Sequence, residues 1–399
     1  MKKFFVSALM LAFALSSVSA KDKKKTEDEG YVFTTVKELK ITPVKNQNRT
    51  GTCWCFSTLG FLESELLRMG KGEYDLSEMF IVSKNYKDKA EKFVRLHGEL
   101  NYAQGGSFED VLQAWKDYGI VPESVMNGLQ YGEDMHVHNE LESASRAYLD
   151  QIIKNPNRKL STAWKKGFDG IIDAYLGTAP EQFTYNGKEY TPKSFAAELG
   201  INPDDYVSLT SYTHHPFYSE FAIEVQDNWR WATSYNLPID ELMQVFENAI
   251  NTGYTIAWGA DVSEKGFTRN GIGVIPDIES MERSGSDQDR WLGLSTSEKD
   301  AEIKKMMEKP CKELEITQEM RQEAYDNYET TDDHGMQIYG IAKDQTGKKF
   351  YMIKNSWGTD NKYKGTWYIS ENFVKYKTMN IVVHKDALPQ AIKDKLHIK

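Results

Sequence analysis

The stretch Gln47-Asn48-Arg49-Thr50-Gly51-Thr52-Cys53-Trp54-Cys55-Phe56-Ser57 decides the reading of this chain. A glycine-led turn, Gly51-Thr52, delivers Cys53 to the start of a helix, and Gln47 stands six residues upstream. From Trp54 to Met69, apolar residues at Cys55, Leu59, Leu62, Leu66 and Met69 recur every three or four positions. That period predicts a helix with one buried stripe, stopped at Gly70. A thiol attacks only as thiolate, so its pKa has to come down from about 8.5. Free N–H groups at a helix N-terminus favour an anion and supply part of that shift.

Two later pieces complete the set: Asp333-His334-Gly335 and Lys354-Asn355-Ser356-Trp357-Gly358. His334 is the candidate base and later acid. Asn355 is placed to accept from the far ring N–H and hold the imidazole, with Trp357 shielding that bond. Gln47 offers an uncharged N–H donor for an oxyanion, beside the backbone N–H of Cys53. Each piece alone is weak, since a lone Cys is usually core and a lone His is usually surface. Nucleophile, base, orienting group and oxyanion donor together, in this order, imply a cysteine peptidase, a chemistry that calls for no cofactor.

Around these segments the periodicity changes. Gln337 to Ala342, Lys349 to Lys354, Gly365 to Ser370 and Met379 to His384 read as strands, the first two joined by Lys343-Asp344-Gln345-Thr346-Gly347. A helical first half and a β-rich last part predict an α+β protein with its site in the cleft between them. We expect a helical lobe over residues 31–126, an inserted region over 127–309, and a β-rich lobe with a C-terminal arm over 310–399. The inserted region holds helical stretches at Asn139 to Ile153 and Ile239 to Thr252, a strand-like Tyr254 to Ala260, and no repeat or Gly/Ser tether.

The first residues read as a signal for export. Lys2 and Lys3 precede an apolar run from Phe4 to Leu15, followed by Ser16-Ser17-Val18-Ser19-Ala20. The expectation is cleavage after Ala20 and a periplasmic or extracellular protein, residues 21–30 forming a charged, disordered lead-in. A membrane anchor would need about 20 apolar residues. The formal charge is −10, or −12 without Lys2 and Lys3. That acidity argues against nucleic acid or an anionic membrane as partner. Three cysteines leave at least one unpaired, and Cys55 reads as a small buried hydrophobe. His136-Val137-His138 and His214-His215 lack an obvious third metal ligand and read as solvated loop histidines.

The quoted segments resemble those of papain-like cysteine peptidases, whose local signature is C-G-[SA]-C-[WY] with His and Asn downstream. Gln47, Cys53, His334 and Asn355 fall on that family's oxyanion Gln, nucleophile, base and orienting Asn, and Trp357 on its shielding Trp. Leu76-Ser77-Glu78 is similar to the stretch after the active-site helix. Gly105-Gly106 resembles the glycine pair whose backbone pairs with the peptide substrate. The resemblance implies a two-lobed fold, a helical left lobe facing an antiparallel β right lobe, with a large and mostly helical insertion. Thr50 stands where many members have a disulfide cysteine, and Thr52 replaces the usual Ser or Ala. His334 lies 334 − 53 = 281 residues after Cys53, against roughly 130–150 in papain-like enzymes.

That extra length resembles the bleomycin hydrolase, or aminopeptidase C, branch. So do Asn236-Leu237-Pro238-Ile239-Asp240-Glu241-Leu242, Ile256-Ala257-Trp258-Gly259-Ala260-Asp261-Val262 and His384-Lys385-Asp386-Ala387-Leu388-Pro389. The branch implies an aminopeptidase acting on peptides, a homo-oligomer, and a C-terminal arm lying in the cleft. The tail Ile392 to Lys399 is shorter and more charged than such an arm. An endopeptidase of the same fold and an inactive peptide-binding homologue stay open as alternatives.

Overall fold

The computed structural model describes residues 30–278 and 294–399. The expected export signal and most of the lead-in lie outside the described residues. Among the described residues no helix is long and apolar enough to cross a membrane.

Cys53–Arg68 forms α1, with no acidic residue in its first turn and Arg68 in its last. The stripe expected from its period is only part of the truth. Every residue from Trp54 to Leu66 is buried, including Glu63 and Glu65. A helix buried on all sides is a central one. Here α1 runs between a helical layer and a sheet. The helical layer comprises α2 (Glu78–Arg95), α3 (Phe108–Tyr118), α4 (Asn139–Ile153) and α5 (Ala163–Leu176). Ser77 caps α2 by accepting from Phe80 N, and Phe61, Leu62, Phe80, Phe93, Leu149 and Phe168 fill this half of the core. A short hairpin, β2 (Phe183–Tyr185) and β3 (Lys188–Tyr190), and α6 (Pro192–Leu199) flank it.

Ten strands make the large sheet. They are β1 (Phe33–Glu38), β4 (Tyr206–Thr210), β5 (Glu220–Ala222), β6 (Thr233–Asn236), β7 (Ile256–Ala260), β8 (Ile272–Gly273), β9 (His334–Asp344), β10 (Lys349–Lys354), β11 (Thr366–Ser370) and β12 (Thr378–His384). The order is β5-β6-β4-β12-β7-β9-β10-β11-β8, with β1 also on β9. Pairing is antiparallel except at β4–β6 and β8–β11. The register Gly259↔Gly335 and Ala260↔His334 brings the ends of β7 and β9 together beside α1. The turn after β9 closes on Asp344, whose Oδ1 accepts from the N–H groups of Thr346 and Lys348.

On the outer face of the sheet lie α7 (Ile239–Thr252), α10 (Glu371–Lys377) and α11 (Gln390–Leu396). Phe246, Trp258, Tyr351, Phe373, Ile392 and Leu396 share this second core. Helices α8 (Thr296–Met306) and α9 (Gln318–Asp326) complete the described elements. The architecture is α+β, as expected.

Candidate active site

Cys53 opens α1 with its side chain half-buried. The turn before it is locked. Gly51 N donates to Gln104 Oε1 at 2.7 Å, and Trp54 Nε1 donates to Gln104 O at 3.1 Å. Asn48 sits at φ +50°, a left-handed conformation that Asn tolerates. This turn makes Gln47 fold inward, 5% exposed. Its Oε1 accepts from Ser356 Oγ at 2.6 Å and its Nε2 donates to Thr50 O at 2.7 Å. An amide nitrogen has two N–H groups, so one remains for a ligand.

His334 begins β9 and lines the same cleft as Cys53. Its Nε2 lies 2.8 Å from Asn355 Oδ1, which also accepts from Ser356 N at 2.7 Å. Trp357 lies over the imidazole with ring centroids 4.6 Å apart. At Gly335 β9 passes close against α1. A Cβ there would meet Ser57 Oγ at 2.7 Å and Phe108 at 3.0 Å. Beneath the turn lies a buried ionic network that sequence reasoning missed. Lys45 Nζ reaches Glu78 Oε1 at 2.8 Å and Glu63 Oε1 at 3.4 Å, and Thr42 Oγ1 donates to Glu63 Oε2 at 2.5 Å. The network ties the Gln47 turn to α1 and α2, and burial pushes Glu78 up to about 7 against the pull of Lys45.

The electrostatics differ from the expected lowered thiol. Burial pushes Cys53 up to about 12, against backbone N–H groups of Gly335 and Trp54, and the carboxylates of Asp332 and Asp227 push the same way as burial. Burial also pushes His334 down to about 4. A charge on either group alone is disfavoured by lost solvation. The helix N-terminus helps the thiolate, yet the walls of the cleft oppose it.

Those walls come from three sources. The helical side gives Trp54, Gly106 and Phe108, and the sheet side gives Gly259, Asp332 and Met379. The third is the segment between β5 and β6, which brings Ile223, Val225 and Asp227. Nothing in the local sequence of that segment signals its place, because the contacts that anchor it to the helical side, from Trp229 and Arg230 to Asp110, span 119 and 120 residues. Gly106 is among the residues lining the cleft, and Gly105 precedes it beneath Asp227.

The C-terminal arm does not enter the cleft. Helix α11 packs on α7 instead, with Ile392 and Leu396 buried. Asn248 Nδ2 donates to Ala387 O at 2.8 Å and Lys395 Nζ reaches Glu241 Oε1 at 2.6 Å. The apolar residues Ile392 and Leu396 face the nearest apolar surface, which is α7. The other histidines are not simply solvated. His138 is fully buried, and burial pushes His136 and His138 down to about 4 and about 3. His214 and His215 meet Glu224, a third donor invisible in sequence, at 3.1 and 3.2 Å. All three cysteines are free.

A model of the papain family of cysteine proteases matches residues 32–175, and one of the peptidase C1-like family matches residues 293–399. Aminopeptidase C of Streptococcus thermophilus is 23% identical over 94% of this chain and 86% of its own. Aminopeptidase C of Lactococcus lactis is 23% identical over 88% and 83%, and aminopeptidase G of Lactobacillus delbrueckii is 23% identical over 90% and 84%. The crystal structure of PepW from Lactobacillus rhamnosis superposes with a TM-score of 0.69 at 20% identity, covering 91% of this chain and 84% of that one. These relatives correct the expectation of a periplasmic or extracellular protein, because aminopeptidase C homologues are typically intracellular. A lysine pair before a short apolar run is a local pattern that relatives spanning most of the chain outweigh. The two matched ends carry Cys53 and His334 respectively, and the chain belongs to the papain-like cysteine peptidases, with the aminopeptidase C enzymes as its relatives.

Proposed function

We propose that this peptidase is an aminopeptidase in which Cys53 is the nucleophile and His334 the base. The observation that carries the assignment is the His334–Asn355 hydrogen bond. Asn355 Oδ1 can only accept, so His334 Nε2 holds the proton and Nδ1 is the free acceptor in the cleft shared with Cys53. Nδ1 takes the thiol proton as Sγ attacks the scissile carbonyl. The oxyanion accepts from the free Gln47 N–H and the Cys53 backbone N–H. The imidazolium then protonates the leaving amine as the C–N bond breaks. Water, deprotonated by His334, hydrolyses the thioester and regenerates the thiol.

Gly105 and Gly106 are assigned to pairing with the substrate backbone, and Trp357, 39% exposed, to shielding the His334–Asn355 bond from water. We assign residues 31–126 to a helical lobe, 127–309 to an insertion, and 310–399 to the lobe bearing His334 and Asn355. The relatives' aminopeptidase names support exopeptidase action. One observation favours an endopeptidase, namely that α11 leaves the cleft free of the C-terminus. Assaying one peptide with a free and an acetylated N-terminus decides between them. Preference for the free form is expected, and equal turnover would overturn the aminopeptidase reading.

A further inference from the structure

The segment between β5 and β6 crosses from the sheet to the helical side and is fixed there. Trp229 Nε1 donates to Asp110 Oδ2 at 2.8 Å, and Arg230 Nε donates to Asp110 Oδ1 at 2.8 Å. Arg230 also pairs with Asp88 at 2.6 Å. Within the segment, Asn228 Nδ2 donates to Ile223 O at 3.1 Å and Ala232 O at 3.0 Å, while Ala232 N donates back to Asn228 Oδ1 at 2.9 Å. With Asn228 and Trp229 buried, this is a fixed strap across the cleft.

At its crossing point the strap sets Asp227 directly over Gly105. A Cβ on Gly105 would lie 1.8 Å from Asp227 Oδ2, so the carboxylate occupies the space of the missing side chain. Asp227 Oδ1 accepts from Asn101 Nδ2 at 3.1 Å. Lys89 Nζ, the nearest cation to influence it, instead donates to the carbonyls of Ala103 and Gly105. Asp332 lines the same cleft on the sheet side, with no hydrogen bond or ion pair among the described residues. Asp333 is different, since Ser263 N and Thr331 Oγ1 satisfy it at 2.9 and 2.8 Å. No lysine or arginine lines the cleft among the described residues. The cleft beside Cys53 therefore ends at a protein wall bearing two carboxylates, with no lysine or arginine among its described lining residues and Lys89 bonded to the carbonyls of Ala103 and Gly105 while its charge acts on Asp227.

We propose that Asp227 and Asp332 receive the α-ammonium group of the peptide's first residue, so that the strap, rather than the chain's C-terminus, restricts cleavage to the amino end. This rests on the aminopeptidase reading and names its specificity-determining residues. A peptide running past Gly105 would collide with Asp227, whereas one whose backbone starts at the strap brings the missing cation. Burial raises the Cys53 thiol most and these two carboxylates add to it, so the incoming cation offsets their share.

The test compares kcat/KM for alanyl, N-acetylalanyl and N-acetyllysyl anilides in wild type, Asp227→Asn, Asp227→Glu and Asp332→Asn. Labelling of Cys53 by a thiol alkylator is measured in each. The wild type is expected to favour free alanyl over acetylalanyl. Each Asn variant should cut that ratio by about 10- to 100-fold, the range for a charge-assisted hydrogen bond, and Asp227→Glu should restore part of it. Asp332→Asn has no contact to lose, so it reports even if the strap variants misfold. With Cys53 labelling intact, an unchanged ratio in both Asn variants would overturn the assignment alone. Turnover of acetyllysyl substrate at the free alanyl rate would show that the carboxylates take a side-chain cation instead, and would overturn it too. Absence of both labelling and turnover in the wild type would overturn the peptidase reading beneath it.

Discussion

Asn355 Oδ1 sits 2.8 Å from His334 Nε2 while it accepts from Ser356 N at 2.7 Å. The second bond fixes which end of the amide faces the ring, and the first then fixes the imidazole's proton on Nε2. Replacing Asn355 by Ala frees the ring to rotate. We expect kcat to fall about 10- to 100-fold, the range for losing an interaction worth about 1–3 kcal/mol. KM should stay close to the wild-type value. Cys53→Ser and His334→Ala should each abolish turnover, because nucleophile and base act as a unit. Steady-state kinetics on one free peptide substrate checks all three. Full activity in Cys53→Ser would sink the mechanism.

Gln47 is held by Ser356 Oγ at one end and Thr50 O at the other. Both bonds fix the amide, so its remaining N–H needs no side-chain reorganisation during the reaction. Gln47→Ala should lower kcat by about 10²–10³, as for other lost oxyanion donors. Gln47→Glu should not restore it, since a carboxylate offers no donor. Recovery of rate in Gln47→Glu would show that the residue acts only by packing.

The tail packs on α7 and away from the cleft, so its removal is expected to affect stability rather than the mode of cleavage. Leu396 is 5% exposed against the α7 core, and Lys395 bonds Glu241 on α7. Deleting Leu396 to Lys399 should leave the preference for free over acetylated N-termini unchanged. It should also lower Tm, because loss of a buried leucine costs about 2–5 kcal/mol. Differential scanning calorimetry beside the paired assay checks both halves. A shift toward blocked substrates would place the tail in the cleft after all.

The pH dependence follows from Asp332. Burial, then the neighbouring charges of Asp227, Asp333 and Glu109, push its carboxyl up to about 7. Below that pH it is protonated and cannot pair with an ammonium group. The kcat/KM for a free peptide should therefore rise through about pH 7, since this ratio reports the free enzyme. It should fall again as the substrate's own α-amino group loses its proton near pH 8. Asp332→Asn should remove the limb near pH 7. Persistence of that limb in the variant would assign it to another group.

The geometry of the site was legible in sequence where it is local. Gly51-Thr52 turns the chain so that Cys53 opens α1, and Asn355 and Trp357, two residues apart, both meet His334. The strands of the last part were legible because their alternation is also local, and the α+β class followed. What stayed hidden depends on contacts between distant residues. Asp227 meets Gly105 across 227 − 105 = 122 positions, and Lys45 meets Glu78 across 33. The full burial of α1 was hidden for the same reason, since Glu63 is an outward-facing residue by period until Thr42 and Lys45 reach it. The place of the tail was hidden in the same way, since Lys395 meets Glu241 across 154 positions.

The most direct measurement is competitive alkylation of the folded protein by a substrate-like thiol reagent, followed by peptide mapping of Cys53, Cys55 and Cys311. Cys55 is fully buried, donating to Glu78 O at 3.4 Å, and burial raises the thiol of Cys311. Only Cys53 opens on the cleft with a base beside it. The account predicts that Cys53 is modified first, at a rate that His334→Ala lowers by about 10²–10⁴, the range for general-base assistance. Modification of Cys53 no faster than of Cys311, with no dependence on His334, would contradict it.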